Sequence, residues 1–118
     1  MKKILIIEDD PLSLELLVQL LIEKYEVLTA MDGRTGLESI KKDRPDLVLL
    51  DISLPFMDGY QVVKNKKGDP ELEKTVVIGV SSRAMKADIE KAMRVGFDEY
   101  LTKPIDEDHL FKIIETYL

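Results

Sequence analysis

Acidic, hydroxyl and lysine side chains stand directly after short apolar runs at four places in the chain. Glu8-Asp9-Asp10 follows the run at residues 4–7, and Asp51 follows the run at 47–50. Ser81-Ser82 follows the run at 76–80, and Lys103-Pro104 follows the weaker run at 100–102. If these groups meet, Glu8, Asp9 and Asp51 crowd three carboxylates into one pocket. They stay ionised there only if a cation compensates them. One lysine is not enough, so a divalent metal is expected. The candidate ligands are all oxygen atoms, which points to Mg2+ rather than zinc or copper. Such a metal keeps waters and takes phosphate oxygens, so the pocket suits a phosphoryl group. A charge-neutralised carboxylate is then a nucleophile toward phosphorus. Asp51, at the end of the central strand, is the best nucleophile. Asp9 is the best direct metal ligand, and the longer Glu8 reaches the metal through water. Lys103 pairs with phosphoryl oxygens and the Ser81 hydroxyl donates to another.

Those positions have to be brought together by the elements between them. The runs at 4–7, 27–30, 47–50 and 76–80 are almost unbroken in apolar residues, as in strands buried on both faces of a parallel sheet. The run at 100–102 reads as an edge strand. The intervening segments carry helical spacing. Leu12, Leu16 and Leu20, with Leu17 and Leu21 beside them, mark the first helix, and Asp10-Pro11 suits its cap and first turn. Gly36, Leu37 and Ile40 mark a second, and Val62 and Val63 a third. Met85, Ile89 and Met93 mark a fourth that stops at Gly96. Leu110, Ile113, Ile114 and Tyr117 form the expected buried stripe of a fifth, capped by Asp106. Regular β-α alternation gives an α/β fold with right-handed crossovers: a doubly wound, flavodoxin-like, five-stranded parallel sheet of order 2-1-3-4-5. Its crevice lies where strands one and three are neighbours, which is where Glu8, Asp9 and Asp51 fall.

Composition excludes other chemistries. The chain has 118 residues, one histidine and no cysteine. Disulfides, thiol nucleophiles, cysteine-ligated metals and any site needing two imidazoles are ruled out. The length fits one domain, residues 1–118. With 17 basic and 23 acidic residues the net charge is −6, so direct binding to nucleic acid or to an anionic membrane surface is not expected. The apolar runs are too short to span a bilayer. The N-terminus lacks the pattern of a secretory signal, so the expected location is the cytoplasm.

The residues also carry a resemblance. ILIIEDD at 4–10, PDLVLLDISLPFMDG at 45–59, VSS at 80–82 and YLTKP at 100–104 resemble the receiver domain (CheY-like) of two-component response regulators, over residues 3–117. The resemblance implies a phosphorylation switch. Asp51 would accept a phosphoryl group from a phosphohistidine on a sensor histidine kinase or phosphotransfer protein. Glu8 and Asp9 match the acidic pair, and Ser53 matches the position that gives a backbone carbonyl to the metal. Ser81 matches the switch hydroxyl, Tyr100 the aromatic that turns inward with it, and Lys103 the lysine before a cis proline bond. The surface of helix four, strand five and helix five would then change to control a downstream protein.

Several positions depart from the family or sit beside its site. Ser53 and Arg83 stand at positions that, by the resemblance, would border the path of the attacking water. The basic run at 64–67 reads as a solvated face. Phe56 and Met57 are expected to pack over the site, and His109 to be an exposed helix residue. Two other chemistries fit less well. A phosphatase-type hydrolase commonly has a second aspartate where Ser53 stands. A flavodoxin-like carrier needs a phosphate loop where Glu8-Asp9-Asp10 would repel phosphate. A receiver cut from a hybrid kinase or larger regulator, acting as a phosphorelay intermediate, remains the alternative within the family.

Overall fold

The computed structural model describes residues 1–70 and 72–118. Strands and helices alternate along the chain: β1 (Lys3–Ile7), α1 (Pro11–Leu21), β2 (Glu26–Ala30), α2 (Gly33–Asp43), β3 (Leu47–Asp51), α3 (Gly59–Lys67), β4 (Val76–Ser81), α4 (Lys86–Val95), β5 (Glu99–Thr102) and α5 (Glu107–Tyr117). The strands form one parallel sheet of order β2-β1-β3-β4-β5. This is the expected architecture.

The unbroken apolar runs are explained by two cores. Successive strand side chains point to opposite faces. Leu5, Ile7, Val48, Leu50 and Val77 pack on one face with Ile40, Val62, Val63 and Ala92 from α2, α3 and α4. Ile4, Ile6, Leu47, Leu49, Ile78 and Val80 pack on the other with Leu17, Leu21, Leu110 and Ile114 from α1 and α5. A strand covered on both sides has no position left for a polar residue until it reaches the rim of the sheet. The functional side chains therefore begin where the runs end.

Aspartates set the helix starts. Asp10 accepts from the Leu12 amide and Asp32 from the Thr35 amide. Asp58 and Gln61 form a reciprocal capping box at α3, and Asp106 accepts from the Asp108 amide. These caps fix where the loops before α1, α2, α3 and α5 turn away from the sheet, while α4 starts at Met85 without a side-chain cap.

Packing corrects several sequence expectations. On α1 the buried residues are Leu17 and Leu21, whereas Leu12 and Leu16 are exposed by 77% and 58%. The stripe of α1 that packs on the core runs through Leu17 and Leu21, with Leu14, Val18 and Leu20 partly buried beside them. β2 is an edge strand, and Ala30 is its one buried residue. Met85 is the exposed N-cap of α4 and Met93 is also exposed, while Ala92 points inward. Tyr117 lies beyond the buried stripe of α5, and its hydroxyl donates to the Asp98 carbonyl at 3.1 Å. Lys66 does not belong to a solvated face. It falls one turn after Val62 and Val63 and, like them, is buried. The side chain of Lys67 lies outside the described residues. His109 is exposed, as expected.

Gly33 ties the start of α2 to the loop after β3. A Cβ there would stand 2.1 Å from the Met57 carbonyl oxygen, a backbone atom that cannot swing aside. Gly33→Ala is expected to cost about 2–3 kcal/mol by overpacking, read as a lower urea midpoint with an unchanged denaturant slope.

Candidate functional site

Register brings the chemistry together. Ile7 is level with Leu50 across β1 and β3, so the residues that follow, Glu8 and Asp51, emerge side by side. Asp51 is level with Val80, and Ser81 with Thr102. Ser81 and Lys103 therefore reach the same rim from the β5 side. Carboxylate oxygens of Glu8, Asp9 and Asp51 lie within 4.8 Å of one another. The Lys103 ammonium donates to Glu8 Oε1 at 2.7 Å and to Asp51 Oδ2 at 3.4 Å. The Lys103–Pro104 bond is cis.

The members of this cluster differ in solvation. Glu8 and Asp51 are buried, at 2% and 6% exposure, whereas Asp9 is exposed. Burial, and then the adjacent Asp51, push the Glu8 carboxyl up to about 7, although Lys103 pulls the other way. Burial alone would lower the Lys103 ammonium, but its contacts with Glu8 and Asp51 outweigh that and raise it. The raised Glu8 carboxyl reports burial first and the adjacent Asp51 second, and one lysine does not offset the two. The fit to a hard divalent cation follows from the donor set: three carboxylates with oxygens within 4.8 Å of one another, one of them open to solvent.

The second layer holds Asp51 from the backbone. The Ser53 amide donates to Asp51 Oδ1 at 2.9 Å, while the Ser53 side chain faces solvent. Gly59 lets α3 start directly against β3. Its amide donates to the Ile52 carbonyl at 3.0 Å, and a Cβ there would come within 2.8 Å of Ile52 Cα and 3.0 Å of the Asp51 carbonyl oxygen. Ser81 is buried, and its Oγ accepts from the Arg83 amide at 3.1 Å. Tyr100 is also buried, and its hydroxyl donates to the Arg83 carbonyl at 2.5 Å. The backbone of Arg83 thus touches both residues. Of the loop pair expected over the site, Met57 packs against the core, but Phe56 stands wholly exposed.

An apolar groove of about 400 Å³ opens beside these groups, lined by Leu16, Leu20, Pro104 and Ile105 and reaching Glu8 and Lys103. Leu16, one of the outward leucines of α1, forms part of that wall beside the charged cleft.

The family model for the response regulator receiver domain matches residues 4–115. The chain belongs to that family. This receiver is 36% identical to the polar-differentiation response regulator DivK of Brucella anthropi over 118 residues, covering 99% of this chain and 96% of DivK. It superposes on the chemotaxis protein CheY4 of Vibrio cholerae with a TM-score of 0.93 at 27% identity, covering 100% of this chain and 99% of that one. It also superposes on the receiver domain of the sensor histidine kinase PA1611 of Pseudomonas aeruginosa PAO1, with a TM-score of 0.90 at 26% identity, covering 98% and 96% of the two chains. That structure has a magnesium ion coordinated in its active-site cleft. Among the described residues of this receiver, no helix is long and apolar enough to cross a membrane.

Sequence reasoning brought Glu8, Asp9, Asp51, Ser81 and Lys103 to one edge, and the structure places them there. It missed Gly59 and the backbone of Arg83 as positioning groups. A glycine directly after the Asp58 cap was a readable signal for a close approach. The Arg83 contacts are made by main-chain atoms and leave no trace in residue type.

Proposed function

We propose that this chain is a phosphorylation-dependent signalling switch. Asp51 accepts a phosphoryl group from a phosphohistidine on a sensor histidine kinase or phosphotransfer protein. The observation that carries this reading is the convergence of Glu8, Asp9, Asp51 and Lys103 in one cleft. Glu8, Asp9, Asp51 and the Ser53 backbone carbonyl would hold Mg2+, which supplies positive charge to the carboxylates and to phosphoryl oxygens. An Asp51 oxygen attacks phosphorus, the P–N bond breaks, and its electron pair returns to the imidazole nitrogen. Lys103, already within 3.4 Å of Asp51, pairs with the charge that arrives, and the Ser81 hydroxyl hydrogen donates to a phosphoryl oxygen. Catalysis is positioning and charge neutralisation. A later attack by water on the acyl phosphate resets the switch, past Ser53 and Arg83.

The signal follows from the same contacts. Phosphorylation adds nearly two negative charges and three acceptors. Ser81 drawn toward them shifts the strand end that carries Arg83, and Arg83 accepts from Tyr100. The surface of α4, β5 and α5 is thereby biased between two states, and a downstream protein reads it. The acidic chain acts through protein contacts in the cytoplasm and not on nucleic acid.

The test is direct. The purified chain with acetyl phosphate and Mg2+ should gain the mass of one phosphoryl group, labile to hydroxylamine as an acyl phosphate is. EDTA should suppress the gain. A chain that gains nothing, or gains a hydroxylamine-stable group, refutes the reading.

A further inference from the structure

The basic residues of the chain are unevenly placed. α2 with its C-cap Arg44, together with α3, carries seven basic and two acidic residues, and the rest of the chain carries ten and twenty-one. The two helices pack side by side over the same core. A cationic flank therefore stands on an otherwise acidic molecule. Arg34, Lys41, Lys42, Arg44 and Lys64 are exposed on it. Among the described residues, Lys41, Lys42 and Lys64 make no ion pair. Of the two acids, Glu38 is met by Arg34 at 3.7 Å and Asp43 is only partly exposed.

A helix C-terminus by itself favours lysines, so charge alone does not make a surface. Phe56 is the second observation. Its ring is wholly exposed and lines a groove of about 380 Å³ with Gly33, Arg34 and Thr35 at the start of α2. Its φ is 66°, in the left-handed region that a bulky residue avoids. The Met57 amide donates to the Pro55 carbonyl at 2.8 Å, which closes the rare, strained γ-turn around Phe56. Met57 packs on the core and pins the turn. The acids beside the groove are engaged as helix caps: Asp32 accepts from the Thr35 amide at 2.7 Å and Asp58 from the Gln61 amide at 3.0 Å. The head of the cationic flank is thus an apolar display held under strain, and strain that the fold does not use marks a contact made elsewhere.

We infer that the α2–α3 flank, with Phe56 at its head, docks an acidic protein segment that carries an apolar residue. Phe56 is the core of the contact and the cations are its rim. Charge decides the class of partner. A nucleic acid duplex or an anionic bilayer extends beyond the flank and meets the acidic remainder of the surface, within a Debye length of about 8 Å. A protein segment presents its carboxylates to the flank alone. Other elements form the surface of α4, β5 and α5 and the groove at Leu16 and Pro104. Docking on the flank needs no phosphoryl group, so the inference stands apart from the reading of Asp51.

The probe is a synthetic peptide of about twelve residues, mostly Asp and Glu with one Leu-Phe pair, titrated into the isotope-labelled chain and followed by amide chemical shifts. Saturable shifts should map to α2, α3 and residues 55–57, with a dissociation constant below about 1 mM. Asn and Gln in place of the peptide's acids should abolish them. Lys41→Glu combined with Lys64→Glu should weaken binding about tenfold. Lys41→Gln combined with Lys64→Gln, which adds no new charge, should give a smaller loss. Phe56→Asn keeps the left-handed turn and removes the ring. It should weaken binding about tenfold, and Phe56→Tyr should restore it. Absent shifts, shifts centred on another surface, or an affinity indifferent to these variants overturns the inference. Tighter binding of a short DNA duplex to the flank overturns the choice of partner. So does dimerisation of the chain that the lysine reversals abolish, which would assign the flank to a second copy.

Discussion

Asp51→Asn reduces phosphoryl incorporation from acetyl phosphate to background, a loss of at least about a thousandfold by the scale of removing an essential nucleophile. The amide has no anionic oxygen to attack phosphorus. Its oxygen still accepts from the Ser53 amide, which now meets Asp51 Oδ1 at 2.9 Å, so the loop keeps its shape. The neighbours do not substitute. Glu8 is buried and engaged by Lys103 at 2.7 Å, and Asp9 is exposed, away from that lysine's contacts. The same substitution removes one of three crowded carboxylates, so the metal-free variant should unfold at a higher temperature than the wild type. Stability gained together with activity lost marks a group kept for chemistry. Intact-mass measurement after acetyl phosphate treatment and thermal melting in EDTA read the two outcomes. Labelling of the variant at the wild-type rate would place the acceptor elsewhere.

What the sequence revealed, and what it hid, divides along a physical line. Strand ends were legible because a strand covered on both faces stays apolar until it leaves the sheet, and Glu8, Asp51, Ser81 and Lys103 each mark that exit. Strand order then followed from β-α alternation, and with it the meeting of Glu8 and Asp51. Side-chain burial on the helices was less legible. Leu12 and Leu16 share a periodicity with Leu20, but leucines cover more of α1 than one packed stripe can bury, and only tertiary packing chooses Leu17 and Leu21. Lys66 looked like part of a solvated run because residue type reports its charge and not the helix face on which it falls. Tyr100 needed its partner to be understood, and that partner is a carbonyl. Phe56 needed its φ angle, which no residue name conveys.

The metal-free chain loses stability as pH rises from about 5 to 8, and Mg2+ returns it. Glu8 carries the argument. Its carboxyl sits at about 7 in the fold against an ordinary 4.5. Between those values the folded chain holds a proton that the unfolded chain has released. Stability therefore falls with pH through this window, being complete below 4.5 and lost above about 7. Each pKa unit corresponds to about 1.36 kcal/mol, so the full swing is on the order of 3 kcal/mol. Other perturbed groups act elsewhere. Asp10 and Asp32 are lowered, by Ser13 and Thr35 respectively, and their effect is confined to more acidic solution. Lys103 is raised and titrates in strong base. Urea midpoints in EDTA at pH 5, 6.5 and 8 should fall by about 2 M in all, at a slope near 1.5 kcal/mol/M. Glu8→Gln should flatten that profile. Added Mg2+ at pH 8 should restore about 2.7 kcal/mol at a hundredfold excess over its dissociation constant, because ionised Glu8 is then an asset. Asp9→Ala should blunt that recovery without removing the pH slope. A wild-type profile as flat as that of Glu8→Gln would show that burial and Asp51 do not raise the Glu8 carboxyl.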